Sequence, residues 1–283
     1  MNYRHAYHAG NFADVLKHAV LARLVEYLKN KEKPFRVIDT HAGRGLYDLS
    51  SPEAQKTGEW LKGIGLLLDA KIPPKVGEIL EPYLEALRGV NSGGGLARYP
   101  GSPMIVRQMM RKQDRLSAIE LHPQDFQALY KRFAGDFQVR VTELDGWLAL
   151  GGHLPPKEKR GLVLIDPPFE EEGEFERLAD GLAKAYRRWP GGTYAIWYPI
   201  KDLRAVNAFR KALSLSEIPK IIDIVLETSD FGAEPRLVGS GMIVVNPPFT
   251  LEAELRTMLP FLHETLAEKK QGRWSVDRLT GEV

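Results

Sequence analysis

Short apolar runs alternate with longer helix-compatible segments along most of this chain. The clearest run, GLVLI at residues 161–165, has the length and composition of a strand that is buried on both faces. Runs of the same kind cover residues 35–38, 116–119, 139–142, 193–197, 221–226 and 241–245. Strands that alternate with crossover helices are typical of a mostly parallel sheet. The pattern therefore predicts an α/β fold with a Rossmann-like, seven-stranded sheet whose last two strands form a hairpin.

The tetrapeptide Asp166-Pro167-Pro168-Phe169 directly follows the strand predicted at 161–165. The Asp166 carboxylate and the Pro167 carbonyl can both accept hydrogen bonds from a planar amine, and Phe169 offers an aromatic face for stacking. The amino group of a base is a poor nucleophile because its lone pair is delocalised into the ring, so acceptors for its hydrogens help it to rehybridise. We therefore predict that Asp166, Pro167 and Phe169 form a catalytic set for methylation of a base amine. A strand stop is the structural alternative.

A glycine-containing loop, DTHAGRG at residues 39–45, follows the first predicted strand. Glycines two apart let a backbone pass close to a nucleotide-type ligand. The dinucleotide fingerprint requires a third glycine three residues later, where this chain has Asp48. The loop thus favours S-adenosylmethionine over a nicotinamide cofactor, with Gly43 beside the ligand and Asp39 meeting its ammonium group directly or through water.

An acid that binds the cofactor's ribose is expected about 20 residues after such a loop. The next strand-end acid is Glu120, much farther along the chain. Residues 47–100 account for the gap, because they contain helical patterns such as the recurring apolar positions between 76 and 87. We predict a methyltransferase domain formed by residues 1–46 and 101–283 and a small helical insertion subdomain at 47–100. The alternative is an ordinary helical bundle with Glu120 as a solvated acid.

Asp145-Gly146 follows the strand predicted at 139–142. The Asp145 carboxylate is at a suitable position to accept a hydrogen bond from the cofactor's adenine amino group. Asp-Gly is also a common turn sequence, and spacing alone does not separate the two interpretations.

A second tetrapeptide of similar form, Asn246-Pro247-Pro248-Phe249, also follows an apolar strand. In a doubly wound sheet, ligands bind outside the carboxyl ends of the strands near the switch point, next to strand one. The seventh strand is remote from that point and, if antiparallel, ends at the opposite edge of the sheet. We therefore assign the chemistry to Asp166 and interpret Asn246 as part of a strand stop.

The amino-terminal segment is rich in histidine. His5, His8, His18 and His41 lack acidic or cysteine partners at ligand spacing, so we predict no metal site. Lys17 and His18, at the start of a predicted helix, are candidates for contacts to the cofactor or a phosphate. A surface histidine without such a role is an equal alternative for His18.

Seven segments spread over nearly the whole chain carry a resemblance to one known family. They are residues 3–18, 39–45, 99–103, 120–123, 145–146, 166–169 and 197–199. In combination they resemble the large-subunit ribosomal RNA adenine-N6-methyltransferase J family. The resemblance implies a monomeric class I methyltransferase fold with a helical insertion and S-adenosylmethionine as cofactor. It also implies that the substrate is one adenine of 23S ribosomal RNA, methylated before the subunit is fully assembled.

The resemblance also implies roles for individual residues. Asp166 would be the catalytic acceptor, Tyr3 and Phe169 would contact the substrate, and phenylalanine at 169 departs from the tyrosine common in the family. The residues that the resemblance assigns to cofactor binding are His18, His41, Ser102, Glu120, Asp145, Gly146 and Asp166.

Composition agrees with this interpretation. The 283 residues carry a formal charge of +2 and no cysteine, which excludes disulfides and thiolate catalysis. A polar start and the absence of a long apolar run predict a cytoplasmic protein that does not bind a membrane. Because the net charge is modest, affinity for RNA has to come from local basic clusters. Two such clusters are Arg107, Arg111, Lys112 and Arg115, and Lys157, Lys159 and Arg160.

Two other functional classes remain open on sequence grounds. An enzyme of the same fold could methylate DNA adenine or a protein glutamine, since both are planar amines. A non-catalytic RNA-binding assembly factor is the second alternative, and the presence together of Asp39, Gly43, Glu120 and Asp166 argues against it.

Overall fold

The computed structural model describes residues 4–232 and 236–281. These residues contain ten strands, seven of which overlap the predicted apolar runs. In chain order the strands are β1 (Arg36–Asp39), β2 (Leu46–Asp48), β3 (Arg98–Pro100), β4 (Arg115–Glu120), β5 (Val139–Glu143), β6 (Gly161–Ile165), β7 (Thr193–Ile200), β8 (Ile221–Glu227), β9 (Gly239–Val245) and β10 (Trp274–Thr280).

Eight strands form the main sheet, in the order β10-β8-β9-β7-β6-β1-β4-β5. The five strands from β7 to β5 in this order are parallel, whereas β9 is antiparallel to both β7 and β8. The α/β fold and the final hairpin are thus confirmed, but the strand count of seven is one short. The missed strand is β10, an antiparallel edge strand whose only buried residue is Val276, so it carries no apolar run.

Helices cover both faces of the sheet. Along β6, Leu162 and Leu164 belong to the core cluster on one face, and Val163 and Ile165 to the cluster on the other. In the described residues no helix is both long enough and apolar enough to span a bilayer. The α-helices are α1 (Phe12–Lys29), α2 (Pro52–Thr57), α3 (Ile64–Asp69), α4 (Pro74–Gly89), α5 (Ser102–Met109), α6 (Pro123–Arg132), α7 (Gly146–Gly152), α8 (Glu174–Arg188), α9 (Leu203–Ser214) and α10 (Leu251–Leu266).

The segment predicted as a helical insertion contains α2, α3 and α4. Its two ends are joined by the antiparallel pair β2 and β3, in which Tyr47 lies opposite Tyr99. Leu67 and Leu80 of the insertion belong to the same core cluster as Leu16 and Leu24 of α1. The insertion therefore packs against the helix that precedes the first strand, and its boundaries as a subdomain stay a prediction.

The strand ends explain why chemistry-bearing residues meet. Asp39, Glu120 and Asp166 lie at or just after the carboxyl ends of β1, β4 and β6, which are neighbouring parallel strands. Asn246 lies at the other end of the sheet, where its side chain donates to the carbonyls of Pro190 and Gly192 just before β7. The two similar tetrapeptides are thus at opposite edges of the sheet.

Candidate active site

A cavity of about 420 Å³ opens at the carboxyl edge of the parallel strands. The loops after β1, β4, β5 and β6 line it, together with the first part of α1. Of the predicted site residues, Asp39 lies outside the lining with no exposed surface, Phe169 is also outside the lining, and Tyr3 is outside the described residues. Those that line the cavity are Lys17, His18, His41, Gly43, Ser102, Glu120, Asp145, Gly146, Asp166 and Pro167.

Asp166 is held by an ion pair with α1. The Lys17 ammonium lies 2.5 Å from Asp166 Oδ2 and 2.8 Å from Asp14 Oδ1. Burial alone would lower the pKa of Lys17, but the two carboxylates raise it above its ordinary value. Asp166 Oδ1 has no hydrogen-bond partner among the described residues. One oxygen of Asp166 is therefore anchored, and the other is available to a ligand in the cavity.

Asp39 is a buried acid that no described residue pairs with. Neither carboxylate oxygen has a hydrogen bond of acceptable geometry within the described part of the chain. Burial raises the pKa of Asp39 to about 7, and nearby Ser102 and the His41 amide offset this only in part. Since an unpaired buried carboxylate is costly, Asp39 would be stabilised by a cation or a hydrogen-bond donor in the cavity that neighbouring His41 and Ser102 line.

The loop after β1 is bound to the end of β4. The Gly43 amide donates to Glu120 Oε2 at 2.7 Å, and the His122 amide donates to Glu120 Oε1 at 2.7 Å. Gly43 has a φ of +60°, and a Cβ there would collide with the Tyr47 hydroxyl. This position requires glycine for both conformation and space. Burial raises the pKa of Glu120, which lines the cavity beside the loop.

Asp145 precedes α7 as its N-cap, and its side chain accepts from the Trp147 amide at 2.8 Å. The carboxylate thus caps a helix and lines the cavity, so the turn and ligand interpretations are compatible. A Cβ on Gly146 would collide with the Thr40 carbonyl, because α7 approaches the loop after β1 closely. The His41 ring lies edge-on to Trp147 at 5.9 Å, and burial lowers the pKa of His41 to about 4.

Phe169 packs beside the cavity. Its ring meets Phe175 at 5.0 Å and Trp197 at 5.8 Å, both edge-to-face. Its φ of +51° is in the left-handed region, which is rare for a bulky residue and occurs preferentially at functional sites. The ring is half-buried, so its remaining surface is available to a base placed over the tetrapeptide.

Comparison with known proteins identifies the family. Residues 32–280 match the family model described as "Ribosomal RNA large subunit methyltransferase D, RlmJ". The chain is 40% identical over 282 residues to the Escherichia coli K12 protein named ribosomal RNA large subunit methyltransferase J, with 100% of both chains covered. It is 42% identical over 283 residues to the Haemophilus influenzae protein of the same name, again with 100% of both chains covered. The chain belongs to the RlmJ family.

A solved structure agrees with this membership. The crystal structure of a Legionella pneumophila protein superimposes with a TM-score of 0.86 at 33% identity, covering 96% of this chain and 98% of that one. Membership of the RlmJ family confirms the resemblance carried by the seven segments, and the sheet order confirms the class I methyltransferase fold. Membership of this methyltransferase class implies that S-adenosylmethionine is the methyl donor.

Several residues in or behind the cavity wall of this RlmJ family member were not predicted from the sequence. Asp14 is 1% exposed and connects Lys17 to His5, whose Nε2 lies 2.9 Å from Asp14 Oδ2. Its spacing of three residues from Lys17 on a helix was an available signal. Tyr47 and Arg177 line the cavity, but no local pattern separates them from other aromatic and basic residues.

The structure places the two basic clusters away from the cavity and His18 away from the surface. The predicted basic clusters lie largely at the amino edge of the sheet, where Arg115 begins β4 and Arg160 precedes β6. Arg111 there donates to Asp114 and to backbone carbonyls. His18 is 1% exposed, so it is not a surface histidine. Among the described residues, no group of three or more histidines and acids is arranged to hold a metal ion.

Proposed function

We propose that the protein methylates N6 of an adenine in the RNA of the large ribosomal subunit, with S-adenosylmethionine as methyl donor. The observation that carries the proposal is that Asp166 Oδ1 has no hydrogen-bond partner among the described residues and lies at the cavity, next to Pro167 in the DPPF tetrapeptide. The names of the relatives support the class of RNA, because both are large-subunit ribosomal RNA methyltransferases.

Asp166 and Pro167 would bind the amino group of the target base. Asp166 Oδ1 and the Pro167 carbonyl accept its two hydrogens, which directs the nitrogen lone pair out of the base plane. Lys17 holds Asp166 Oδ2 at 2.5 Å, so the carboxylate is oriented before the base arrives. Phe169 would stack on an extruded base. Alignment accounts for most of the acceleration, because the methyl group is already activated in the donor.

The acidic side chains in and behind the cavity wall match the hydrogen-bond donors of S-adenosylmethionine. Bound S-adenosylmethionine supplies a methyl group on a sulfonium, which makes it transferable without metal or redox chemistry. Asp39 lies behind the cavity wall, and neither of its oxygens has a hydrogen-bond partner among the described residues, so it would meet the donor's ammonium through a bridging water. Glu120 would accept from the ribose hydroxyls, and Asp145 from the adenine amine. His41 and Gly146 would form the wall beside that adenine.

RNA would approach over the carboxyl edge beside β7 and β10. Lys201 and Arg204 follow β7, whereas Lys269 and Lys270 precede β10, which begins opposite Leu226 at the same edge. All four are exposed and have no ion pair among the described residues. β10 is four strands from β6, about 20 Å at the usual spacing. An RNA stem whose flipped base enters the cavity would bring its phosphates within reach of these four basic side chains.

Transfer of labelled methyl from S-adenosylmethionine tests the proposal. Unmodified 23S ribosomal RNA, duplex DNA and a protein extract are offered separately, and the products are digested to nucleosides or amino acids. We expect N6-methyladenosine from the RNA only, and none with Asp166→Ala. Label in DNA or in glutamine would show that the proposed substrate is wrong. If no pool is labelled although the protein binds the cofactor, a non-catalytic binding role would be favoured.

A further inference from the structure

A buried chain of three side chains connects the helical insertion to the cavity. Tyr83 on α4 and Tyr99 on β3 have their hydroxyl oxygens 2.9 Å apart. Tyr99 Oη lies 2.7 Å from Nδ1 of His18 on α1, and the two rings are stacked at 5.5 Å. Tyr83 and Tyr99 have no exposed surface, and His18 is 1% exposed. A hydrogen-bonded path thus runs from the insertion core to a residue of the cavity wall.

The directions of these hydrogen bonds follow from the number of available acceptors. Among the described residues, Tyr83 Oη has no partner other than Tyr99 Oη. If Tyr99 donated to Tyr83, the Tyr83 hydrogen would have no acceptor inside an apolar core, which costs about 1–3 kcal/mol. Tyr83 therefore donates to Tyr99, and the Tyr99 hydrogen is free to be donated to His18 Nδ1.

This direction determines the tautomer of His18. Burial lowers the pKa of His18 to about 3, so the ring is neutral at physiological pH and carries one hydrogen. Because Nδ1 accepts from Tyr99, that hydrogen must be on Nε2. Nε2 has no protein partner in the described part of the chain, and His18 lines the cavity. The N–H is thus available to a ligand there.

We propose that Tyr83 and Tyr99 are positioning residues that hold His18 as the Nε2–H tautomer, with this N–H directed at the cofactor's carboxylate. The inference rests on the proposed function for the identity of the ligand. The neighbouring cation, Lys17, is already paired with Asp14 and Asp166, so His18 supplies a donor that no other described residue binds. The insertion would thereby contribute to cofactor affinity without touching the cofactor.

The first test reads the tautomer directly. Long-range ¹⁵N–¹H spectra of the ligand-free protein, with His18 assigned through His18→Gln, distinguish a protonated Nε2 from a protonated Nδ1. We expect Nε2–H in the wild type and a mixture of tautomers in Tyr99→Phe. A wild-type signal with the hydrogen on Nδ1 would overturn the proposal, whether or not Tyr99→Phe folds.

The second test measures the Kd of S-adenosylhomocysteine by calorimetry. We expect Tyr99→Phe to raise Kd about 10-fold with little change in kcat, and Tyr83→Phe to raise it about 2- to 3-fold. In a His18→Gln background, Tyr99→Phe should have no further effect. Tyr194→Phe is the matched control, because this buried hydroxyl donates to carbonyls of Ala185 and Trp189 outside the cavity.

Failure of the positioning role and failure of the proposed cofactor site would give different results. Unchanged Kd in a folded Tyr99→Phe, or an equal rise in Tyr194→Phe, would refute the positioning role. A wild-type protein that binds no S-adenosylhomocysteine would instead refute the proposed cofactor site, and the ligand-free spectrum would still decide the tautomer.

Discussion

Replacement of Asp39 by asparagine removes a buried charge that has no hydrogen-bond partner among the described residues. The pKa of this carboxyl rises from its ordinary value of 3.8 to about 7, chiefly because of burial. A rise of this size corresponds to about 4 kcal/mol against the ionised form. Between these pH values the folded state holds the proton more strongly than the unfolded state. This group therefore lowers the stability of the ligand-free protein as pH rises from about 4 to about 7.

Asp39→Asn should lack this pH dependence. At pH 8 we expect the ligand-free variant to be more stable than the wild type by up to about 4 kcal/mol, and at pH 4 the difference should be close to zero. Urea unfolding of both proteins at each pH measures the difference. The reasoning would be refuted if the variant were less stable than the wild type at pH 8 and its stability changed with pH as the wild type's does.

The same residue links cofactor binding to a proton. If Asp39 binds the ammonium of the cofactor, binding below pH 7 should release a proton from this carboxyl, and affinity should rise with pH up to about 7. Calorimetry with S-adenosylhomocysteine in buffers of different ionisation enthalpy counts the released protons. The Asp39→Asn variant should bind weakly and release none. Equal proton release by both proteins would assign the proton to another group.

Four further predictions concern the cavity and its edge. Asp166→Asn should lower kcat at least about 100-fold in a methyl-transfer assay while S-adenosylhomocysteine still binds, and near-normal turnover would contradict the acceptor role. Phe169→Ala should weaken RNA binding by about 1–3 kcal/mol in a filter-binding assay, whereas Phe169→Tyr should bind normally. Gly146→Ala should raise the Kd for cofactor, because a Cβ there would collide with the loop after β1, and unchanged affinity would show that α7 can move away. Replacement of both Lys269 and Lys270 by glutamate should raise KM for RNA and reduce its salt dependence, and an unaltered salt slope would exclude this edge as the RNA path.

The parts of the fold that sequence predicted are those with a local signal. The run at β6 is buried on both faces, and its end is marked by Asp166 and two prolines, so both the strand and its edge were visible. β10 was not predicted, because an edge strand that buries only Val276 has no apolar periodicity. Similarly, the pair β2 and β3 consists of two strands of three residues each that are 50 residues apart in sequence.

The candidate site likewise contains residues that the sequence predicted and contacts that it did not. Asp39, Glu120 and Asp145 follow strands, so their meeting at one edge is a consequence of parallel order. The contact between Lys17 and Asp166 joins residues 149 positions apart, and only the packing of α1 against the sheet brings them together. The left-handed backbone of Phe169 also has no sequence signature, since such conformations are normally expected at glycine.

Single-turnover transfer of labelled methyl to unmodified 23S ribosomal RNA tests the central claim most directly. The wild-type protein and Asp166→Asn are compared at saturating S-adenosylmethionine, and the RNA is digested to nucleosides. The account predicts N6-methyladenosine as the labelled product of the wild type and almost none with the variant. Label at any other atom of the RNA, or equal rates for the two proteins, would contradict it.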